Sequence, residues 1–217
     1  MQSRAITVAR LQPGYGAAVD TAPDVLAGYR PPSQLVQDKV VDHLDRHCRA
    51  FIALSPFATL ATAAPDGWPD VSPRGGDPGF ARVLDERTLA LPDRQGNNRV
   101  DSLRNTVGNP RAALLFFVPG FEETLKVFGT TTLVGPDDLG VDLTEFGRPP
   151  RSVLVLTVER AYFQCGKAVM RSGLWDADRQ VERSTFPSLG EVLRDHCGLS
   201  TPLPGQEEMR AELAQEL

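Results

Sequence analysis

Apolar residues recur along this chain with two different periods, and the point where the period changes divides it. After Pro31-Pro32, Ser33 stands where a helix N-cap is expected. Leu35, Val36, Val40, Val41, Leu44, Cys48, Phe51 and Ile52 then return at helical spacing, which predicts a helix with one buried face. Beyond Ser55-Pro56 the runs become short and strand-like. Residues 57–64 and 68–73 flank Pro65-Asp66-Gly67 and read as a hairpin whose second arm ends in the loop SPRGGDPG. Two more short strands are expected at 80–84 and 87–91. Asn97 or Asn98 then caps a helix carrying Val100, Leu103 and Val107 on one side, closed by Gly108 and stopped by Asn109-Pro110.

The later chain is richer in strands. RAALLFFV at 111–118 is the strongest buried-strand run. After the Pro119-Gly120 turn, 124–134 is strand-like, with Gly129 marking a bulge or a close backbone approach. Residues 152–164 alternate as another strand. Ser188 and Glu191 have capping-box spacing and open a helix to about His196, and the tail QEEMRAELAQEL is helical or frayed. Six or seven strands with short spacings favour antiparallel hairpins over βαβ crossovers. No GxGxxG follows a strand and no GxxxxGK[ST] is present, so dinucleotide-binding and P-loop folds are set aside. The expected fold is a compact, mainly β barrel with accessory helices. It occupies 33–185, between a Gly-, Pro- and Ala-rich N-terminal arm at 1–32 and a C-terminal helical extension at 186–217.

Composition narrows the function classes. The 217 residues are 41% hydrophobic and 24% charged, ordinary for a folded soluble protein. The net charge of −5 excludes a dedicated nucleic-acid binder, because neutralising phosphates requires a basic surface. No long apolar run suggests a leader or a membrane span, so a soluble, cytoplasmic protein is expected. Cys48, Cys165 and Cys197 have no CxxC spacing and suggest neither a disulfide framework nor a zinc knuckle. His43 and His47 lie i,i+4 beside Cys48, but without the Glu of HExxH or a third ligand they read as structural, and no metal is expected. No Ser-His-Asp order or paired carboxylates support hydrolysis, so no side chain is assigned a catalytic role.

Charge is distributed unevenly, however. Between 71 and 111 the chain holds seven arginines against five acidic residues, a local excess of +2 within the total of −5. There, PDRQGNNR runs from a strand directly into a helix whose free N–H groups favour an anion. Arg94 and Arg99 bring charge-assisted donors, Asn97, Asn98 and Ser102 neutral ones, and Asp93 opens the turn. A phosphate monoester fits this chemistry. The spacing fits equally well with Asn98 as a simple cap and the arginines paired to Asp93 and Asp101. Ser72 and Arg74 form a second candidate, facing one side of an extended Gly-rich segment. A third comprises Lys167 and Arg171, i,i+4 if helical, with Trp175 offering a flat ring or an anchor for the C-terminal segment.

These residues carry a family resemblance. FATLATAAPDGWPDVSPRGG, RTLALPDRQGNNRVDSLRNTVGNPRAALLFFVPG and TLKVFGTTTLV, with the ending FQCGKAVMRSGLWD, are similar to the pyridoxamine 5′-phosphate oxidase-like flavoproteins over about 35–180. The resemblance implies an antiparallel split β-barrel and a homodimer with FMN bound non-covalently at the subunit interface. It implies an FMN-dependent oxidoreductase acting with a small-molecule redox substrate or a reduced nicotinamide cofactor. It also implies that Arg99 and its neighbours hold the flavin phosphate, that the strand from Ser72 to Arg74 passes beside the flavin, and that Lys167, Arg171 and Trp175 reach the site from a C-terminal segment. Two departures stand out. The family's basic pair in the phosphate turn is here Arg99-Val100, and the chain closes with TPLPGQEEMRAELAQEL instead of an Arg-Leu-x-Pro-like ending. FMN binding is therefore expected without vitamin B6 oxidation. A flavin carrier without turnover, or a split barrel holding a deazaflavin or haem, stays open.

Overall fold

Apolar side chains on alternate positions drive seven strands into one antiparallel sheet. The computed structural model describes residues 27–216, so the arm expected over 1–32 lies mostly outside the described residues. The strands are β1 (Phe57–Ala63), β2 (Pro69–Gly75), β3 (Arg82–Val83), β4 (Thr88–Asp93), β5 (Arg111–Phe117), β6 (Thr124–Val134) and β7 (Ser152–Gln164). Their order is β2-β1-β5-β6-β7-β4-β3. β2 and β3 follow one another in the chain yet form opposite edges. The short 76–81 connection can join them only if the sheet curls, leaving a seam that no hydrogen bonds close. The result is a mainly β, antiparallel split barrel with accessory helices.

Leu60, Leu114, Phe116, Leu125, Val127 and Leu156 fill the interior and are essentially inaccessible to solvent. Gly129 is needed where β6 shifts register against β7. A Cβ there would collide with the Thr157 carbonyl oxygen, so of the two alternatives expected at Gly129, a bulge or a close backbone approach, both are present.

The chain divides into two compact units between Lys39 and Val40. The described part of the first holds a short helix, Gln34–Asp38, with Ser33 at its N-cap and no side-chain capping bond. Leu35 and Val36 are exposed, and the single long helix expected from Ser33 does not form. In the second unit Val41 instead exchanges two backbone hydrogen bonds with Ala161, which requires extended backbone. The Leu44 N–H donates to the Glu86 carbonyl, and Asp45 then caps a new helix, Arg46–Leu54, by accepting from the N–H groups of His47 and Cys48. Only this second helix has the expected buried face, through Cys48, Phe51 and Ile52.

The middle helix also differs from expectation. It spans Asp101–Gly108, its N-cap is Val100, and neither Asn97 nor Asn98 caps it. Its buried residues are Ser102 and Thr106, whereas Val107 is 75% exposed. The helix packs on polar groups of the sheet: Ser102 Oγ donates to Asp70 Oδ2 at 2.8 Å and Asn105 Nδ2 donates to Thr62 Oγ1 at 3.1 Å. Later come the helices Lys167–Ser172, Leu189–Cys197 and Gln206–Glu216, the second with the expected Ser188–Glu191 capping box. Among the described residues no helix is long and apolar enough to cross a membrane.

Candidate functional site

The open seam determines where a ligand can enter. β2 pairs only with β1, so the main-chain groups along its other side are unpaired by the sheet. Asp70, Ser72 and Arg74 lie opposite Thr62, Leu60 and Ala58, and therefore on the same face as the core. What continues the core along β1 becomes polar at β2. Arg74 donates to Ser72 Oγ and to the Pro73 carbonyl, which holds its guanidinium along the strand. Across the seam stands Asp93, at the end of β4. Burial pushes the Arg74 pKa down, against the raising influence of Asp93 and then Asp70. Burial likewise pushes the Asp93 carboxyl up, opposed by Arg74 and then Arg151. The two groups thus offset each other's desolvation across the gap.

A cavity of about 870 Å³ fills this seam, bounded by β2, by residues 92–103 and by residues 145–152. Asp101, Ser102 and Leu103, in the first turn of the Asp101–Gly108 helix, are part of its lining. Leading into that helix, Asn98 and Val100 both adopt left-handed backbone, with φ of 57° and 49°. For a β-branched residue such as Val100 this costs on the order of 1–3 kcal/mol and is characteristic of ligand-clamping segments. Asn97 Oδ1 accepts from the Arg99 N–H at 3.1 Å and fixes the turn. Arg99 itself is 76% exposed and pairs with Asp101 at 2.8 Å, which raises its pKa.

The far wall comes from the β6–β7 connection. Glu145 and Arg148 exchange backbone hydrogen bonds around Phe146-Gly147, both with positive φ, forming a tight turn. The Glu145 side chain, 10% exposed, accepts from the Asp77 N–H at 2.6 Å and lies 3.0 Å from Arg94 Nη2. A Cβ on Gly76 would collide with that carboxylate, so the glycine makes room for it. Arg94 also donates to the carbonyls of Leu143 and Arg148. It is therefore a wall-building residue that ties the β6–β7 connection to the end of β4. A smaller cavity of about 270 Å³ adjoins this wall and shares Arg94, Glu145 and Phe146 with the larger one.

The fold brings eight of the sequence candidates into one lining: Ser72, Arg74, Asp93, Arg94, Asn97, Asn98, Arg99 and Ser102. Lys167, Arg171 and Trp175 lie outside it. Lys167 and Arg171 are on the helix after β7, and the Trp175 indole donates to the Phe121 carbonyl at 2.7 Å, anchoring the C-terminal segment. Sequence reasoning missed Asp70, Glu145, Arg148 and Arg151. For the last two a signal existed in Arg148-Pro-Pro-Arg151, two arginines in a rigid run before a strong strand. His43 sits outside any helix with Nδ1 2.9 Å from Asp42, and no group of three or more metal-ligating side chains occurs among the described residues.

The family model for pyridoxamine 5′-phosphate oxidase matches residues 44–165, more than half of the chain and every residue that lines the seam cavity. No curated protein matches the chain. Among solved structures, HupZ of Group A Streptococcus is 16% identical, with 56% of this chain and 94% of that one covered and a TM-score of 0.44. A putative pyridoxamine 5′-phosphate oxidase from Lactobacillus delbrueckii is 22% identical, covering 56% and 99%, with a TM-score of 0.41. A pyridoxamine 5′-phosphate oxidase-related, FMN-binding protein from Nostoc punctiforme is 15% identical, covering 64% and 86%, with a TM-score of 0.38.

Proposed function

The chain belongs to the pyridoxamine 5′-phosphate oxidase family, and from that membership we propose that it is an FMN-dependent oxidoreductase holding its flavin non-covalently in the seam. The observation that carries this reading is the make-up of the cavity. Its lining includes Arg99 and Arg151, Gln95, Asn97 and Asn98 and the first turn of a helix, and one side is the strand edge at Ser72–Arg74. The first set suits a phosphate dianion. The second offers the Ser72 hydroxyl and the Arg74 guanidinium to the polar rim of a planar heterocycle, since Pro73 has no N–H and its carbonyl already accepts from Arg74. The donor chemistry therefore fits FMN.

In this reading Arg99, Asn97 and Asn98 bind the phosphate together with the backbone N–H of Ser102, whose hydroxyl is committed to Asp70; Ser72 and Arg74 orient the ring, and Arg94 with Glu145 closes the wall against water. FMN, when bound, supplies the hydride and electron transfer that amino-acid side chains lack. The protein's own task is positioning and electrostatics, which accords with the scarcity of acid–base constellations. Reduced nicotinamide or a small organic molecule is the proposed redox partner.

We further infer that two copies associate through the outer face of β2-β1-β5. Phe57 and Val71 are exposed there, beside Pro69 and Pro73, and Trp68 is exposed in the turn that leads into β2. An apolar face of this kind is covered in a working assembly. Lys167, Arg171 and Trp175 would then serve a neighbouring copy's flavin.

Titration of the purified protein with FMN, followed by flavin fluorescence and absorption, tests the proposal. Saturable one-per-chain binding is expected, and NADH or NADPH is expected to bleach the bound flavin without oxygen. Failure to bind FMN, or preference for a deazaflavin or haem in competition, overturns it. Flavin that binds and never cycles assigns the chain to flavin carriage.

A further inference from the structure

The phosphate turn is short of available cations: Arg94 is engaged by Glu145 and Val100 stands at the helix N-cap, which leaves Arg99. Arg99 is also half-committed, because Asp101 holds its Nε at 2.8 Å. A phosphate monoester carries close to two charges, and one exposed, already paired guanidinium is a weak match for it.

The structure supplies a second guanidinium from a distant part of the chain. Arg151 ends the β6–β7 connection, where its backbone N–H donates to the Asp93 carbonyl and places it directly before β7. Its Nη1 donates to Asn98 Oδ1 at 2.8 Å, across a separation of 53 residues. Both residues line the large cavity together with Arg99 and the helix N-terminus. The bond to Asn98 uses one of the N–H groups of a guanidinium that has five. Its partner is a neutral oxygen, so the positive charge is not spent on a carboxylate hydrogen bond. Asp93 is the nearby acid that counts against this, and burial pushes its pKa up.

Asn98 explains why the arrangement needs left-handed backbone. At φ 57° its side chain leaves the helix axis and reaches the β6–β7 connection instead of capping the helix. Asparagine tolerates that conformation better than other non-glycine residues. The strained turn and the Arg148-Pro-Pro-Arg151 run thus form two halves of one construction.

We propose that Arg151, positioned by Asn98, is the second cation of the phosphate-binding site, beside Arg99. The proposal rests on the flavin reading for the identity of its ligand, but its core claim is affinity for a phosphate dianion. It implies that selectivity for FMN over riboflavin depends on the β6–β7 connection as well as on the turn.

The test compares wild type, Arg151→Ala and Arg151→Lys, each with FMN, riboflavin and inorganic phosphate, with a melting curve for every variant. Arg151→Ala is expected to weaken FMN about tenfold or more while riboflavin affinity stays within about twofold, the scale of a lost charged hydrogen bond. Arg151→Lys keeps the charge without the fork and falls between. An unchanged ratio of FMN to riboflavin affinity in a folded Arg151→Ala overturns the proposal and leaves the flavin reading intact. If wild type binds neither flavin, that reading falls and the phosphate arm decides. Phosphate that raises the melting temperature of wild type and not of Arg151→Ala supports the site, and equal or absent shifts overturn it. Where Arg151→Ala does not fold, Arg151→Lys carries the same comparison.

Discussion

At the scale of single residues, Asp42 shows how one exposed carboxylate redirects a segment. Arg87 donates to both its carbonyl and its carboxylate, at 3.0 and 2.6 Å, while His43 Nδ1 lies 2.9 Å from its other oxygen. The His43 and Arg87 hydrogen bonds hold its pKa at about 2, against an ordinary 3.8. A carboxyl whose pKa is depressed by folding stabilises the native state above its unfolded value, and that contribution fades as pH falls toward the native value. Asp42→Asn is therefore expected to melt below wild type at pH 7, with the gap closing between about pH 4 and about pH 2. A gap independent of pH would assign the effect to packing. His43 and Asp42 are neighbours in sequence, but Arg87 is not, so no spacing rule could have paired them.

Among the elements, the strands were far more legible than the helices. β6 and β7 form over the residues that the alternation marks, and the special role of Gly129 was readable because a glycine inside a strand pattern has few other uses. Gly129→Ala forces a Cβ into the Thr157 carbonyl, and a loss of about 1–3 kcal/mol in urea unfolding is expected, the usual range for overpacking. Retention of wild-type stability would mean that the bulge relaxes freely. The helices misled for a common reason. Helical spacing of apolar residues across 35–52 is real, but the Val41–Ala161 bridge and the Asp45 cap interrupt it. On Asp101–Gly108 Val107 is exposed and Leu103 only half-buried, because the sheet beneath offers Asp70 and Thr62 as hydrogen-bonding partners for Ser102 and Asn105. Periodicity reports that a helix is two-faced. It does not report which face its neighbour wants.

For the molecule as a whole, the exposed apolar face of β2-β1-β5 is the feature that a single chain leaves unexplained. Val71 is 66% exposed and Phe57 41%, on strands whose opposite face is core. Sedimentation is expected to show a dimer for wild type, and Val71→Asp is expected to give a folded monomer with weaker FMN binding. A monomeric wild type, or an unaffected Val71→Asp dimer, removes this face from the assembly. The candidate site depends on a larger-scale feature still. Its walls come from β2 at one edge of the sheet, from the end of β4 next to the other edge and from a connection more than 40 positions beyond the turn, joined only because the sheet curls and stays open.

The sequence by itself determined the strands, the antiparallel class, the locally basic turn and the family, because these depend on patterns spanning a few tens of residues. It also placed Ser72, Arg74, Arg94, Asn97, Asn98 and Arg99 among the candidates without indicating which would share a partner. The tertiary structure alone decided that Arg94 would be bound up with Glu145, that Arg99 would pair with Asp101, and that Arg151 would arrive beside Asn98. The physical reason is that a guanidinium reaches only a few ångströms, so its role is set by whatever the folded chain brings within that distance.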